Sequence, residues 1–382
     1  MTGTILNCGY VPLVDSAPLI IASELGFAAD HGLSLNLIRQ PSWSALRDML
    51  ALGHLDVAHM LAPMPVAMSL GMGGFPAQVD ALMVLSVNGT VFGVSNALSA
   101  RVGDVPFGDA HALLAALTKT VQSPLRVGVP FHHSMHRLLL DYWTAGADGL
   151  QIEAVTVPPS RMADAVADGF VDAFWVGEPW GSVAVQQGDA QLMMTGRDVW
   201  QFAPEKVLAA RRDWIEQNAG ITARLMRAVF QATAWLDNPK NTPLAVEVLG
   251  RSEHLSMPVD LIDPALSGRL APKRGVAAID VGGFVQFHDH AANFPWRSQA
   301  AWIAQQLGAD TAGIARAKDC FRTDIYRTTL AGAGAAMPSA SEKQEGAMQT
   351  PTSAPSSQGN VILAPDAYFD GKIYDFSMIS DE

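Results

Sequence analysis

Gly32-Leu-Ser-Leu-Asn-Leu-Ile38, then Pro41-Ser42, then Gly53-His-Leu-Asp56-Val-Ala58 is answered about 117 positions later by Gly149-Leu-Gln-Ile-Glu-Ala-Val155, Pro159-Ser160 and Gly169-Phe-Val-Asp172-Ala-Phe174. The same punctuation recurs in the same order, so the first half of the chain holds an internal repeat. Upstream of each copy lies a short strand pattern, Thr4 to Tyr10 and Leu125 to Val129. A turn and an apolar helical run follow, Ala17 to Leu25 and Met135 to Ala145. Each copy therefore reads strand, loop, helix, strand, loop, helix, strand. Strands alternating with helices imply parallel βαβ units with right-handed crossovers. The expected class is α/β, with two lobes and a cleft between them. Ligands of such sheets bind beyond the carboxyl ends of the strands, where loops enter helices. The loops Val11 to Ser16 and Pro130 to Ser134 are expected to face that cleft.

Outward from the repeat, Val84 to Ser95 and Leu192 to Val199 are the expected crossings between lobes, and two extended crossings permit a hinge. After Trp200 the pattern turns helical. Thr222 to Leu236 ends at Asp237-Asn238-Pro239, a stop signal. Pro243 to Gly250 reads as a helix capped by Thr242, and Gly282 to Ala291 and Ser298 to Leu307 read as two more. This part is expected to return to the first lobe. Residues 1–90 with 200–330 then form lobe I, and 91–199 form lobe II. From Ala331 to Asn360 the composition collapses to small and polar residues, the mark of a flexible linker. The tail, 361–382, carries Tyr368-Phe-Asp-Gly-Lys-Ile-Tyr-Asp-Phe376. It either docks on the body or binds a partner, and docking is expected because exposed aromatic patches are uncommon.

The chain has 382 residues, 49% of them hydrophobic and 16% charged, which describes a well-buried globular protein. A net charge of −12 argues against nucleic acid as a direct partner. It also means that an anionic ligand must be drawn by local donors rather than by the overall field. Cys8 and Cys320 lie far apart and form no CxxC pair, so buried free thiols are expected. No apolar run reaches the roughly 18 residues of a membrane span. The N-terminus lacks a basic region followed by an apolar stretch. A cytoplasmic protein is expected, or a periplasmic one whose signal peptide was removed.

Phosphate loops, HExxH and GxSxG are absent, so nucleotide binding, zinc peptidase and serine hydrolase chemistry are not indicated. No cofactor is expected. Of His132, His133 and His136, only His132 and His136 share a helix face, and a transition metal wants a third ligand. What remains is a set of donors at cleft positions. Trp43 opens a helix after the second strand, and its indole N–H donates without accepting. Thr90 follows Asn88-Gly89 in the first crossing. His136 opens the helix after the first strand of the second copy, and Lys206 follows the second crossing. Taken singly, each has a plainer reading: a packed aromatic, a turn, a core histidine, a solvated lysine. Ser42 is a helix cap that turns backbone N–H groups toward an anion. Ser134 and Glu178 are placed behind the donors, with Glu178 expected to pair with a cation such as Lys206.

These stretches resemble the nitrate, bicarbonate and sulfonate receptors of ABC importers, in the nitrate-binding branch. The resemblance runs from about Leu6 to Tyr326. It is carried by Gly9-Tyr-Val-Pro-Leu-Val-Asp-Ser-Ala-Pro-Leu-Ile-Ile-Ala22, Pro41-Ser-Trp-Ser-Ala-Leu-Arg-Asp48, Leu55-Asp-Val-Ala-His-Met-Leu-Ala-Pro-Met-Pro65, Tyr142-Trp143, Trp175-Val-Gly-Glu-Pro-Trp180 and Pro204-Glu-Lys-Val-Leu208. It implies a periplasmic-binding-protein-like (type II) fold that closes on a small ligand, and nitrate held by a tryptophan, a glutamine, a histidine and a lysine. Trp43, His136 and Lys206 match three of these, and Thr90 stands in the place of the glutamine. His133-Ser134-Met135 stands where the family has Gly-Gly-Thr. A planar oxyanion wants several fixed donors and one positive charge, which this set supplies. Three or four charge-assisted bonds at about 1.5–3 kcal/mol each reach the roughly 8 kcal/mol of micromolar binding.

Within the family the chain is most similar to the cytoplasmic NasS-type nitrate/nitrite sensors. That resemblance implies a protein that holds an RNA-binding antiterminator partner until nitrate or nitrite releases it. The expected function is this sensor. The alternative is an exported receptor of a nitrate, bicarbonate or sulfonate importer. Neither is an enzyme. Thiamine-pyrimidine synthases share the fold but carry a cysteine-rich motif that Cys8 and Cys320 cannot supply.

Overall fold

The structure, a computed structural model, describes residues 3–72, 74, 77–335 and 337–379. The first two residues of the expected lobe I and the last three of the expected tail lie outside the described residues. Among the described residues, ten strands and one short added strand build the two larger sheets. β1 (Thr4–Tyr10), β2 (Leu33–Arg39), β3 (Val57–Leu61) and β4 (Val79–Asn88) precede β5 (Thr90–Ser95), β6 (Leu125–Val129), β7 (Ile152–Thr156), β8 (Ala173–Gly177), β9 (Ala190–Thr195) and β10 (Pro204–Arg211). The first sheet runs β4-β10-β3-β1-β2, with the short strand Val285–Gln286 added beside β4. The second runs β7-β6-β8-β5-β9. In each, the strand between its two neighbours is the first of the repeat, parallel to both. The sheets are not wholly parallel: β10 is antiparallel to β3 and β4, and β5 is antiparallel to β8 and β9. The strand that enters each sheet from the other lobe reverses the direction.

The repeat has a backbone cause. Asp56 Oδ2 accepts from the Asn7 amide at 2.8 Å, and Asp172 Oδ2 accepts from the Arg126 amide at 3.1 Å. Each aspartate pins the start of the third strand to the first strand of its own copy. Gly53 and Gly169, three residues before those aspartates, sit at φ +79° and +66°. An L side chain is strained there, so both positions favour glycine.

Chain passage between the sheets occurs at Gly89, between β4 and β5, inside the first expected crossing. The return runs from the turn Gly196–Asp198 through Trp200 to β10, a few residues later than the expected Leu192 to Val199, because β9 continues to Thr195. Asn88 ties the two passages together. Its Nδ2 donates to the Gln201 carbonyl at 2.9 Å, and its Oδ1 accepts from the Ala203 amide at 3.1 Å.

The helix Ala17–Glu24 buries Ala17 through Ala22. A helix apolar on all sides needs cover on all sides, and the helix Ala219–Leu236 supplies part of it by packing on this one. The segment after β10 therefore returns to the first sheet. The helix Thr242–Gly250 begins one residue before its expected start, with Asn241 at the cap position. Gly282 to Ala291, expected as a helix, instead forms the strand Val285–Gln286 and a 3-10 turn, Asp289–Ala291, with His290 at φ +60°. Strand pairing with β4 captures this stretch. Cys8 and Cys320 are both buried and free.

The expected linker is ordered. Thr352–Ser356 and Gly359–Leu363 form an antiparallel hairpin. Glu345 is fully buried and accepts from Ser298 Oγ at 2.6 Å, while Lys343 pairs with Glu345 and Asp366. Small polar composition promises no core, but this ion cluster anchors the stretch from within. The tail then docks across both lobes. Tyr368 stacks on Trp200 at 4.9 Å between ring centres, and Tyr142 of the second lobe donates to Asp370 Oδ1 at 2.8 Å. Among the described residues no helix is long and apolar enough to cross a membrane.

Candidate functional site

Where the lobes meet, five ionisable side chains from four elements converge in full burial. Lys206 Nζ lies 2.7 Å from Asp15 Oδ2 and 2.9 Å from Glu205 Oε1. Asp15 Oδ1 lies 3.0 Å from His59 Nε2, and Glu205 Oε1 lies 3.2 Å from His136 Nδ1. Lys206 Nζ also stands 5.5 Å over the Trp43 ring, a cation–π contact. Asp15 comes from the turn after β1, His59 from β3, Glu205 and Lys206 from β10, and His136 from the first turn of the helix Met135–Thr144. Only His136 belongs to the second lobe, so its contact with Glu205 spans the cleft.

Glu205 and Lys206 are sequence neighbours, and neighbours in a regular strand leave on opposite faces. The ladder between β10 and β4 slips on either side of Lys206. That bulge brings both side-chain ends into one cluster.

Burial acts to raise the Asp15 carboxyl, but Lys206 and His59 outweigh it and hold it at about 2. Burial acts to lower Lys206, and its two carboxylates outweigh that and raise it. Burial pushes Glu205 up to about 7, opposed by Lys206 and reinforced by Asp15. Burial and then Lys206 hold His136 well below its ordinary value, and burial also lowers His59. At neutral pH the cluster is thus a lysine–aspartate ion pair, two neutral imidazoles and a carboxyl near its midpoint.

Of the expected ligand donors, Trp43, His136 and Lys206 meet here. Trp43 Nε1 and His136 Nε2 are buried with no hydrogen-bond partner among the described residues. Thr90 stands one strand aside. It pairs in the ladder with Gly177, and its Oγ1 accepts from Trp175 Nε1 at 3.0 Å. Gly177 touches the cluster, since a Cβ there would lie 3.8 Å from His136 Nε2 and 3.7 Å from Asp15 Oδ2. Ser42 and Ser134 serve as helix caps, accepting from the Ala45 and Arg137 amides. Glu178 does not pair with Lys206. Its carboxyl takes the Ser182 amide and hydroxyl, because Asp15 and Glu205 already hold the lysine.

Asp15, His59 and Glu205 were not among the expected site residues. A signal existed for Asp15, which lies in a loop expected to face the cleft. Two further contacts close the lobes: Trp180 Nε1 donates to the Pro12 carbonyl at 3.0 Å, and the Val14 amide donates to the Glu178 carbonyl at 2.9 Å. Beside them lies a cavity of about 320 Å³ lined by Pro41 of the first copy and Pro159 and Ser160 of the second. The repeated Pro-Ser loops therefore face one another across the lobe boundary.

The NMT1-like family profile matches residues 3–250. The nitrate import ATP-binding protein NrtC of Synechocystis sp. is 33% identical over 307 residues, which cover 79% of this chain and 45% of that protein. The chain thus spans about half the length of the first such relatives. The nitrate/nitrite binding protein NrtA of Synechococcus elongatus is 29% identical over 347 residues, 86% of this chain and 78% of that one. The crystal structure of the periplasmic nitrate-binding protein NrtA from Synechocystis PCC 6803 superposes with a TM-score of 0.82 at 26% identity, covering 98% of this chain and 96% of that one. The two-lobed, periplasmic-binding-protein-like α/β architecture is therefore the fold of this chain.

Proposed function

The chain belongs to the NMT1-like family, and from that premise we propose that it is a substrate-binding receptor for nitrate or nitrite that serves an importer. The observation that carries the proposal is the meeting of Trp43, His136 and Lys206 in one buried interlobe cluster. The unpartnered Trp43 indole N–H and the Lys206 ammonium are what a weakly basic planar oxyanion needs, and His136 joins them as a donor in the tautomer that carries its proton on Nε2. The Thr90 hydroxyl accepts from Trp175, which leaves its own proton free to donate.

The receptor reading now takes precedence over the cytoplasmic sensor. Relatives over most of this chain carry nitrate import, nitrate binding or bicarbonate transport in their names, and none of those names carries regulation. An antiterminator partner has no supporting observation of this kind. The receptor works on the outer side of the membrane, and fractionation of native cells tests that placement. Recovery in the cytoplasm would return the sensor reading.

The binding test is a calorimetric titration with nitrate, with nitrite and bicarbonate as competitors. Micromolar binding that disappears in Lys206→Ala and His136→Ala, and weakens about 10–100-fold in Trp43→Phe, supports the receptor. Heat from bicarbonate and none from nitrate would reassign the ligand.

A further inference from the structure

The buried cluster holds one permanent cation against two carboxylates. Asp15 and Glu205 are 3% and 1% exposed, and Lys206 is wholly enclosed between them. With both carboxylates ionised and both imidazoles neutral, the charges of Asp15, Glu205 and Lys206 sum to −1. A monovalent anion entering beside them brings the total to −2 in a volume closed to water. Uncompensated charge of that kind is strongly disfavoured in a desolvated site.

Resting on the receptor reading above, we infer that the cleft takes up its anion together with one proton, and that Glu205 is the residue that receives it. The proton comes from solvent and converts the Glu205 carboxylate to the acid. It returns the total to −1 and turns an acceptor-only group into a donor.

Geometry chooses Glu205 among the groups that face one another here. Asp15, from the turn after β1, is doubly engaged, by Lys206 on one oxygen and His59 on the other. His59, from β3, lies behind Asp15 with its ring near Trp43. His136, from the helix of the second lobe, and Lys206, from β10, both contact the same oxygen of Glu205, Oε1. Burial already places Glu205 at about 7, whereas it and the lysine charge hold His136 well below its ordinary range. A proton on Glu205 therefore costs little near neutral pH. The cleft is thereby selective for small monovalent oxyanions, since a dianion would require a second proton that no neighbouring group accepts readily.

The test is calorimetric titration of the full chain with nitrate from about pH 6 to about pH 9, in two buffers of unlike ionisation enthalpy. Affinity should be level at the acid end and fall about tenfold per pH unit above roughly pH 7. The buffer dependence of the heat should report about one proton taken up per nitrate at the alkaline end. Glu205→Gln should lose both the slope and the proton uptake. Level affinity with equal heats in both buffers overturns the inference while leaving the receptor standing. A slope that persists in Glu205→Gln also overturns it, because the proton then goes elsewhere. Absence of nitrate heat at every pH overturns the receptor reading and this inference with it. The two-buffer measurement needs no variant, so it decides even if Glu205→Gln does not fold.

Discussion

Lys206 Nζ and Asp15 Oδ2 lie 2.7 Å apart in a buried ion pair that joins β10 to the turn after β1. Removing one partner of such a pair strands the other charge out of water. Lys206→Met leaves Asp15 and Glu205 together without a cation. It should lower stability by roughly 3–5 kcal/mol and abolish nitrate binding. Asp15→Asn should cost less, because Glu205 still holds the lysine at 2.9 Å. Urea unfolding midpoints of the two variants give the comparison, and equal losses would show that Glu205 does not share the lysine.

Burial raises the carboxyls of Glu178 and Glu205 from 4.5 to about 7. An acid raised on folding binds more protons folded than unfolded between those values, so stability falls as pH climbs through that window. At about 1.4 kcal/mol per unit, each group contributes a decline on the order of 3 kcal/mol. His59 and His136, held low by burial, act the other way and add stability as pH climbs toward 6.5 and past it, so the acids are read by difference. Glu178→Gln removes one acid and leaves the histidines in place. The stability of the ligand-free parent relative to Glu178→Gln, read from melting curves, should therefore fall between pH 5 and pH 8 by about the single-group decline. Asp15, held at about 2, adds a loss only in acid, as pH falls below its ordinary 3.8. A parent-minus-variant difference that is level across this range would contradict the assignment of Glu178.

Asn88 stitches the two passages between lobes and sits at φ 61°. Asn88→Ala removes both side-chain bonds and places an alanine in the left-handed region. Asn88→Gly removes the bonds but relieves the backbone. Both should destabilise, alanine by about 1 kcal/mol more than glycine. Denaturation of the pair separates bond from backbone, and a glycine variant as stable as the parent would mean that the bonds carry no net energy.

The tail bridges the lobes. Phe369 donates from its amide to the Val199 carbonyl at 2.9 Å, and its own carbonyl faces His111 Nε2 at 2.9 Å. Lys318 donates to the Phe376 and Ile379 carbonyls on the opposite side. Tyr142→Phe should cost about 1 kcal/mol by losing its bond to Asp370. Deleting everything after Leu363 should cost several times that and enlarge the radius of gyration in small-angle scattering. An unchanged radius would show that the tail covers the lobes without holding them together.

How much of this was legible follows from the range of each interaction. The repeat announced two equivalent lobes because its glycines act on the backbone at their own positions, while its aspartates recur at nearly the same distance, 49 and 46 residues, from the strand residue whose amide each accepts, so spacing records both. The helix cap at Ser42 was legible because it acts on an amide three residues on, whereas the cap at Ser134 emerged only from the structure. Gly282 to Ala291 was misread because pairing with β4, almost two hundred positions earlier, decides its conformation. Glu178 was misassigned because its partner depends on which carboxylates reach Lys206 first in space.

By itself, then, the sequence determined the α/β class, the doubled lobe and three of the residues that meet in the interlobe cluster, all of which rest on pattern or on residue type at loop ends. Only the tertiary structure decided the charge state of the cleft. Asp15, His59 and Glu205 enter it through a bulge in β10 and a turn after β1, and Lys206 is shared between two acids instead of standing alone. The order of the expected linker belongs to the same category. Its composition promises no core, and its order comes from Lys343 and Glu345, held against Ser298 and Asp366, contacts that exist only once distant segments are already folded together.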